Sequence, residues 1–461
     1  MSIKNTLKEI ILNKINYYKL NLTINEINIH EDIENNYFKS DIAISLSNIL
    51  KEKPSTIAET IKNKIINSNI IETITTNSNG IINIYIKEDY LLNYINDIIE
   101  KNNKYGYNNT GHNKKINIKY KNPNINNQID LKELRKIIYC DNISRIMQFC
   151  SYDITKDYYI DNNINESDIN KIKKELDKYR IYFDNFTKEE SICNQKVEKL
   201  LTEIRYNKYC YIENDCLWLK TTSFGDDKDR LIIDENGEYT PLVINLAYII
   251  NLIDNNYQLI IDFVNKNNIE EVNMYIAALS AIEKNYKILN YKKEGNINIK
   301  NNNNIEELSK QIGINMLRYF YSIYNIKDNI NIDVSLLLQN EQDNPYIYIE
   351  NTNILLASIL NEKNTNITNN KYKNSKLFNQ LLLKTSLFED TVIKSCIRQN
   401  PYIIAEYAYE LSTIFNNYYE EEIKKSKEEN LTNEIIYLFS ATKISLNNSL
   451  DLIGIIPREE K

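Results

Sequence analysis

Cysteine and histidine, the side chains that usually bind zinc, are scarce in this sequence. Its six cysteines are scattered without a CxxC pair, and the two histidines are His30 and His112. A zinc site needs about four Cys or His ligands at characteristic spacings, so we expect reduced thiols and no metal centre. Only 8 glycines occur in 461 residues, which leaves little material for a glycine-rich loop around a phosphate.

Aromatic side chains at helical spacing are candidates for contact with nucleic-acid bases. Residues 404–420 contain Tyr407, Tyr409, Phe415, Tyr418 and Tyr419 at helical spacing, a pattern typical of a helix that buries one face. We expect most of these rings in the core, whereas one or two exposed rings could stack on nucleic-acid bases.

The charge balance argues against extensive contact with phosphates. There are 56 basic and 63 acidic residues, a formal charge of −7, and residues 331–461 contain 13 Lys or Arg against 18 Asp or Glu, a difference of −5. Nucleic-acid binding would therefore have to be local and weak. No run approaches the roughly 20 apolar residues of a membrane span, and the N-terminus lacks the apolar core of a secretion signal. We expect a cytoplasmic protein that contacts neither membrane nor DNA.

The pattern of apolar residues divides the chain into three stretches, and these must position the candidate side chains. Residues 1–112 are predicted to form a small α/β module with a helix from Pro54 and a strand in GIINIYI, residues 80–86. Residues 113–334 alternate strands with helices, which is typical of a parallel sheet with helical crossovers. Long amphipathic helices fill residues 335–461. The sequence thus predicts an α/β fold with a parallel-sheet core between an N-terminal α/β domain and a C-terminal all-α bundle.

Several segments, in chain order, resemble the arginyl-tRNA synthetases. KYKNPN (119–124) is similar to the first strand of their class I Rossmann-type core, and FGDDKDR (224–230) resembles their hairpin. IAEYAYELSTIFNNYYE (404–420) and SLNNSLDLIGIIPRE (445–459) resemble their anticodon-binding helices. The resemblance covers essentially the whole chain. It implies that the three predicted domains correspond to a tRNA-contacting domain, a catalytic-like core and an anticodon-binding bundle.

The position of the family's first signature holds different residues here. The family joins an amino-acid carboxylate to the α-phosphate of ATP and uses a His-x-Gly-His segment at a helix N-terminus. The matching segment is DLKE, which puts Asp130 and Glu133 at the histidine positions and Lys132 at the glycine. Carboxylates facing a triphosphate would repel it by roughly 1 to 4 kcal/mol per close pair. We therefore assign no catalytic residue.

The second signature and the amino-acid pocket are altered as well. The family's Lys-Met-Ser-Lys loop is matched by residues 294–304, where Lys300 alone could bind phosphate. The Tyr and Asp that hold the arginine guanidinium in the family are matched by Pro241 and Asn245, and an amide cannot replace a bidentate carboxylate. The remaining candidates for substrate contact are Asn122, Arg135 and Asn245, although Asn122 and Arg135 are equally explained by structural roles.

Three functions remain open on these grounds. We favour an arginyl-tRNA synthetase-like protein that has lost aminoacylation and binds tRNA(Arg), weakly, or an intact synthetase, with Tyr407, Asn416 and Tyr419 as candidate tRNA contacts. No cofactor is expected in that case. The first alternative is a divergent but active arginine–tRNA ligase, which would use ATP and Mg²⁺. The second alternative is an interaction scaffold that does not bind RNA.

Overall fold

The structure of the chain is a computed structural model. It describes residues 2–15, 22–121, 129–160, 164–193, 195–205, 208–265, 269–300, 305–333, 344–361, 375–424 and 431–460. The chain forms two compact units. Unit 1 contains residues 1–108, 340–398 and 403–461, and unit 2 contains residues 109–339 and 399–402.

The N-terminal part of unit 1 is an antiparallel sheet with helices. Its elements are α1 (Ile3–Ile15), β1 (Ile29–Asp32), β2 (Tyr37–Ser40), α2 (Ile42–Leu50), α3 (Pro54–Ile65), β3 (Ile71–Thr76), β4 (Ile82–Ile86) and α4 (Glu88–Lys101). The strand order is β1-β2-β4-β3. The predicted helix from Pro54 and the predicted strand within 80–86 are confirmed, and every second side chain of β4 is buried. The other three strands were not predicted, because their apolar alternation is short and mixed with polar residues.

Unit 2 is built on a five-stranded parallel sheet with helical crossovers. Its elements are β5 (Lys115–Lys121), α5 (Leu131–Phe149), β6 (Asp153–Ile160), α6 (Glu166–Lys178), β7 (Asn185–Lys188), α7 (Glu189–Cys193), α8 (Gln195–Arg205), β8 (Cys210–Glu213), β9 (Cys216–Leu219), β10 (Arg230–Ile233), α9 (Pro241–Asp254), β11 (Leu259–Asn265), α10 (Ile269–Ala281), β12 (Leu289–Glu294), β13 (Ile297–Lys300), α11 (Ile305–Ile312), α12 (Ile314–Ser322) and β14 (Ile330–Asp333). The order β12-β11-β5-β6-β7, with every neighbouring pair parallel, confirms the predicted α/β core.

The order of the sheet reverses at β5. The chain moves from β5 to β6 and β7 on one side and later returns to β11 and β12 on the other. Open parallel sheets bind ligands beyond the carboxyl ends of their strands at such a switch point. Successive side chains of a strand point to opposite faces. Accordingly, Tyr120 of β5 contacts α5, whereas Lys119 contacts α9.

Two smaller sheets accompany this core. Strands β8, β9 and β10 form an antiparallel sheet, and β13 pairs in parallel with β14. The expectation of a loop across residues 294–304 was wrong for residues 297–300, which form β13. The reason is the alternation of Ile297 and Ile299 with asparagine, which suits a strand that pairs with a similar one at Ile330–Asp333.

The C-terminal part of unit 1 is helical wherever it is described. Its helices are α13 (Pro345–Asn361), α14 (Lys376–Ser386), α15 (Phe388–Arg398), α16 (Tyr402–Tyr418) and α17 (Asn433–Leu452). No strand occurs among residues 344–361, 375–424 and 431–460, so the predicted all-α bundle is confirmed for those ranges. None of the helices in the described parts of the chain is long and apolar enough to cross a membrane.

The two ends of the chain pack together within unit 1. The hydroxyl of Tyr105, which is fully buried, donates to the backbone oxygen of Ser386 at 3.0 Å. The amide of Asn448 donates to the backbone oxygens of Asn102 at 2.9 Å and Tyr105 at 3.1 Å. The N-terminal module and the helical bundle therefore support each other, and removal of either would expose the core of the other. The division at residues 112 and 334 into three domains stays a prediction.

A buried carboxylate in this packing makes the stability of unit 1 dependent on pH. Asp390 accepts from the backbone N–H of Lys4 at 3.3 Å, and burial raises its pKa from 3.8 to about 6 despite the nearby Lys4 ammonium. Its stabilising contribution is complete below the unfolded pKa and is lost as pH rises through about 6. We expect unit 1 to lose about 1 to 2 kcal/mol of stability between pH 5 and pH 7.5 from this group.

Scanning calorimetry of Asp390→Asn and of the wild type at both pH values measures this contribution. The variant should lose the pH-dependent difference, because an amide keeps the acceptor oxygen without a charge. Asp451→Asn, at an exposed position of α17, is the matched control. An unchanged pH dependence in Asp390→Asn would show that another group titrates.

Candidate functional site

Asp130, the first residue of the segment DLKE, is the N-cap of α5. Asp130 is exposed, and its Oδ1 accepts from the backbone N–H of Glu133 at 2.7 Å. Aspartate is a favoured N-cap, because its side chain satisfies an N–H that has no partner within the helix. The same N–H groups and helix dipole would otherwise favour a phosphate. Here, a carboxylate of the chain itself occupies that position.

The second carboxylate of the signature is not directed at solvent. Glu133 is buried, and its Oε2 accepts from the Tyr120 hydroxyl at 2.6 Å. Lys136 Nζ lies 3.5 Å from Glu133 and 3.6 Å from Glu294, and burial raises the pKa of Glu294. Only Asp130 of the two carboxylates is therefore exposed to an approaching phosphate. Lys132, between them, is half-buried.

Arg135 is buried and forms hydrogen bonds to the backbone of the protein. It is 1% exposed, and its guanidinium donates to the backbone oxygens of Asn325 at 2.7 Å and Asp328 at 3.0 Å. These acceptors belong to the turn between α12 and β14. The expectation that Arg135 contacts a substrate is therefore disfavoured, because its donors are directed at the backbone of the protein.

Two other candidates cannot be placed. Asn122 lies outside the described residues. The backbone of Lys300 belongs to β13 and pairs with Asp333, but the structure does not describe the side chain of Lys300. Their substrate-binding roles stay predictions.

Asn245 faces a lysine. Its Oδ1 accepts from Lys119 Nζ at 2.9 Å, and its Nδ2 donates to the backbone oxygen of Pro241 at 3.0 Å. Lys119 itself is 7% exposed and lies among Tyr159, Tyr248 and Asp262. Sequence reasoning missed these four residues. The signal available was the row of polar residues at alternate positions of β5: Lys115, Asn117, Lys119 and Lys121.

The hairpin segment is stabilised by its own charges. Arg230 donates to both carboxylate oxygens of Asp226, each at 2.7 Å, and Thr222 donates to Asp229 at 2.7 Å. Gly225 has φ of 92°, in the left-handed region that favours glycine. These contacts agree with a conformational role for residues 224–230.

The candidate RNA-contacting residues of the helical bundle differ in their exposure to solvent. Tyr407 is 2% exposed and donates to the backbone oxygen of Lys384 at 3.2 Å, which disfavours stacking on a base. Asn416 is half-buried and donates to Thr352 at 2.7 Å, while Tyr419 is half-buried against Phe415. Tyr409, at 42% exposure, is the accessible tyrosine of α16. Asn416 and Tyr419 stay candidate RNA contacts, and Tyr409 joins them.

Three domain families match separate parts of the chain, in chain order. Residues 1–86 match the arginyl tRNA synthetase N terminal domain, residues 94–163 match the catalytic domain of class I (R) tRNA synthetases, and residues 353–460 match the DALR anticodon binding domain. An arginine–tRNA ligase of Staphylococcus epidermidis is 24% identical over 99% of both chains. One from Listeria monocytogenes is 23% identical over 94% of both.

Solved structures show the same fold. Thermus thermophilus arginyl-tRNA synthetase superimposes with a TM-score of 0.80 at 12% identity, over the full length of both chains. The Plasmodium falciparum enzyme gives 0.78 at 17% identity, over 100% of this chain and 99% of its own. The switch-point sheet and the three matched domains thus define a class I aminoacyl-tRNA synthetase architecture. Within that class, the chain belongs to the arginyl-tRNA synthetase family.

Proposed function

We propose that this protein is an arginyl-tRNA synthetase-like paralogue that does not activate arginine and that binds tRNA(Arg), or an intact synthetase, in the cytoplasm. The observation that carries the proposal is the state of the two ligand-binding positions in unit 2. At one, Asp130 takes the helix N-terminus that would receive a phosphate. At the other, Lys119 takes the crevice beside α9.

The chemistry of activation makes both positions decisive. Negative charge grows on the α-phosphate in the transition state, so fixed donors and cations must already face it. Asp130 presents a negative charge there, and the cationic substrate would meet the Lys119 ammonium in the crevice. Like charges at both positions oppose the binding of both substrates. In this proposal ATP and Mg²⁺ have no role.

The names of the relatives support a second candidate function. The similar proteins of Staphylococcus epidermidis and Listeria monocytogenes are named arginine–tRNA ligases. A divergent active ligase would show arginine-dependent exchange of pyrophosphate into ATP, whereas the proposed paralogue would not. An interaction scaffold would show neither exchange nor tRNA binding.

Binding to tRNA is expected to be weak and to use exposed rings of the bundle. We expect micromolar affinity for tRNA(Arg) and a shallow salt dependence, because an acidic chain neutralises few phosphates. Tyr409→Ala should weaken binding by about 1 to 3 kcal/mol, or roughly 5- to 150-fold, if the ring stacks on a base. Fluorescence titration at low salt measures both quantities.

Tyr182→Ala is the matched control, since Tyr182 is 58% exposed and lies before β7, at the amino edge of the sheet. It should bind like the wild type. Absence of binding to tRNA(Arg) and to a non-cognate tRNA would favour the scaffold. Equal binding of both tRNAs would show that phosphate attraction persists without anticodon recognition.

A further inference from the structure

A buried ammonium group lies at the switch point of the parallel sheet, where open sheets of this kind form a ligand-binding crevice. It belongs to Lys119, near the carboxyl end of β5, whose side chain is 9% exposed. Ligands of open parallel sheets bind beyond this edge, next to the strand where the order reverses. A lysine with a long flexible stem is costly to bury at such a position unless its charge is matched.

The surroundings of this ammonium are those of a binding site for a cation. Its Nζ lies 2.9 Å from Asn245 Oδ1 and 3.8 Å from Asp262 Oδ2. The same atom lies 4.5 Å from the ring centroid of Tyr159 and 5.1 Å from that of Tyr248. Two aromatic rings, an amide oxygen and a carboxylate are what proteins use to hold a bound alkylammonium ion. We call these four residues the cation cage.

Contacts that do not involve Lys119 hold the cage in place. Tyr248 donates to Asp157 Oδ2 at 2.7 Å and lies 3.1 Å from Asn117 Oδ1. Asn245 donates to the backbone oxygen of Pro241, which directs its Oδ1 towards Lys119. Tyr159 packs edge-on against Tyr248, with ring centroids 5.4 Å apart. The cage should therefore persist when the lysine side chain is removed.

We propose that Lys119 is a tethered occupant of this cage, which excludes a free ammonium or guanidinium ligand from the switch-point crevice. A covalently linked group competes at an effective concentration of millimolar or more, so a dilute free cation cannot displace it. The inference rests on the proposed function, since it explains why arginine is not bound. It makes Lys119 a residue that determines specificity by filling the site.

The test removes most of the Lys119 side chain by mutation and supplies the missing part as a free ion in solution. Lys119→Ala lacks a fragment equivalent to the n-propylammonium ion, which should bind the vacated cage. We expect n-propylammonium chloride to raise the melting temperature of Lys119→Ala saturably, by about 2 to 4 °C. Sodium chloride and 1-propanol at equal concentration should have no such effect. The wild type and Lys119→Met, in which the space is filled, should not respond.

A double variant and the 1-propanol control test whether n-propylammonium binds within the cage. Loss of the response in Lys119→Ala/Asn245→Leu would support binding within the cage. No response in Lys119→Ala, or an equal response to 1-propanol, would overturn the proposal. If Lys119→Ala does not fold alone, n-propylammonium during refolding should restore the emission of Trp218, and failure to restore it also counts against the proposal. These titrations contain no ATP or tRNA. Exchange activity in the wild type would refute the proposed function, whereas only the titrations bear on the cage.

Discussion

Asp141→Asn is expected to lower the free energy of unfolding of unit 2 by about 3 to 5 kcal/mol, the usual cost of removing one partner of a buried ion pair. Asp141 is 1% exposed, and its Oδ2 lies 2.6 Å from Arg318, which is fully buried. Arg145 and Lys156 lie 2.8 Å and 3.0 Å from the same carboxylate. The amide would leave three cations around a neutral group.

The pKa of Asp141 shows how strongly the site depends on its charge. Burial alone would raise this pKa, but Arg318, Lys156 and Arg145 together bring it below its usual range. The network connects α5 to α12 and β6, so it fixes the helix whose N-terminus carries Asp130. Its loss should therefore loosen the core of unit 2.

Urea unfolding monitored by Trp218 measures this effect, since the single tryptophan lies in β9 of unit 2. Asp153→Asn is the matched control: Asp153 is exposed at the start of β6, and surface changes usually stay within about 0.5 kcal/mol. Asp141→Asn/Arg318→Met should cost less than the sum of the single variants, because the two residues interact directly. A change below about 1 kcal/mol in Asp141→Asn would contradict this description of the network.

Periodicity was enough to predict the architecture of this chain. The apolar strands of the core alternate with helices, and the described C-terminal residues are helical, as their patterns indicate. Short strands were harder, because β1 and β13 contain few residues and β13 pairs with a strand about 30 residues away in sequence. Local pattern cannot reveal pairing between segments that meet only in the folded chain.

The candidate site was less accessible to sequence reasoning. The resemblance to the family placed Asp130 and Glu133 at the start of a helix, but it could not show that Glu133 is buried against Tyr120. It also could not show that Arg135 donates to the backbone near Asp328. Both facts depend on where a side chain points, and a helix of 19 residues buried on nearly all sides gives no amphipathic signal.

Lys119 illustrates the same limit in the opposite direction. In sequence it is one lysine among 56 basic residues. Its role becomes visible only when β5, β6, α9 and β11 meet and place aromatic, amide and carboxylate groups around one ammonium. The crevice is therefore defined by tertiary packing.

We propose that this member of the arginyl-tRNA synthetase family does not activate arginine. Removal of one fixed donor to a developing oxyanion commonly costs about 10²- to 10³-fold in rate. In the proposed function, the Asp130 carboxylate stands at the start of α5 where the family has a donor, and Lys119 takes the place of the cationic substrate beside α9. The combined loss should place the reaction below detection.

The most direct measurement is exchange of labelled pyrophosphate into ATP with L-arginine, Mg²⁺ and tRNA(Arg), using the full chain. The Staphylococcus epidermidis arginine–tRNA ligase under identical conditions is the positive control, and omission of arginine gives the background. We predict that exchange by this protein stays at the background level at every arginine concentration. Exchange that rises saturably with arginine would contradict the account and identify the protein as a divergent, active ligase.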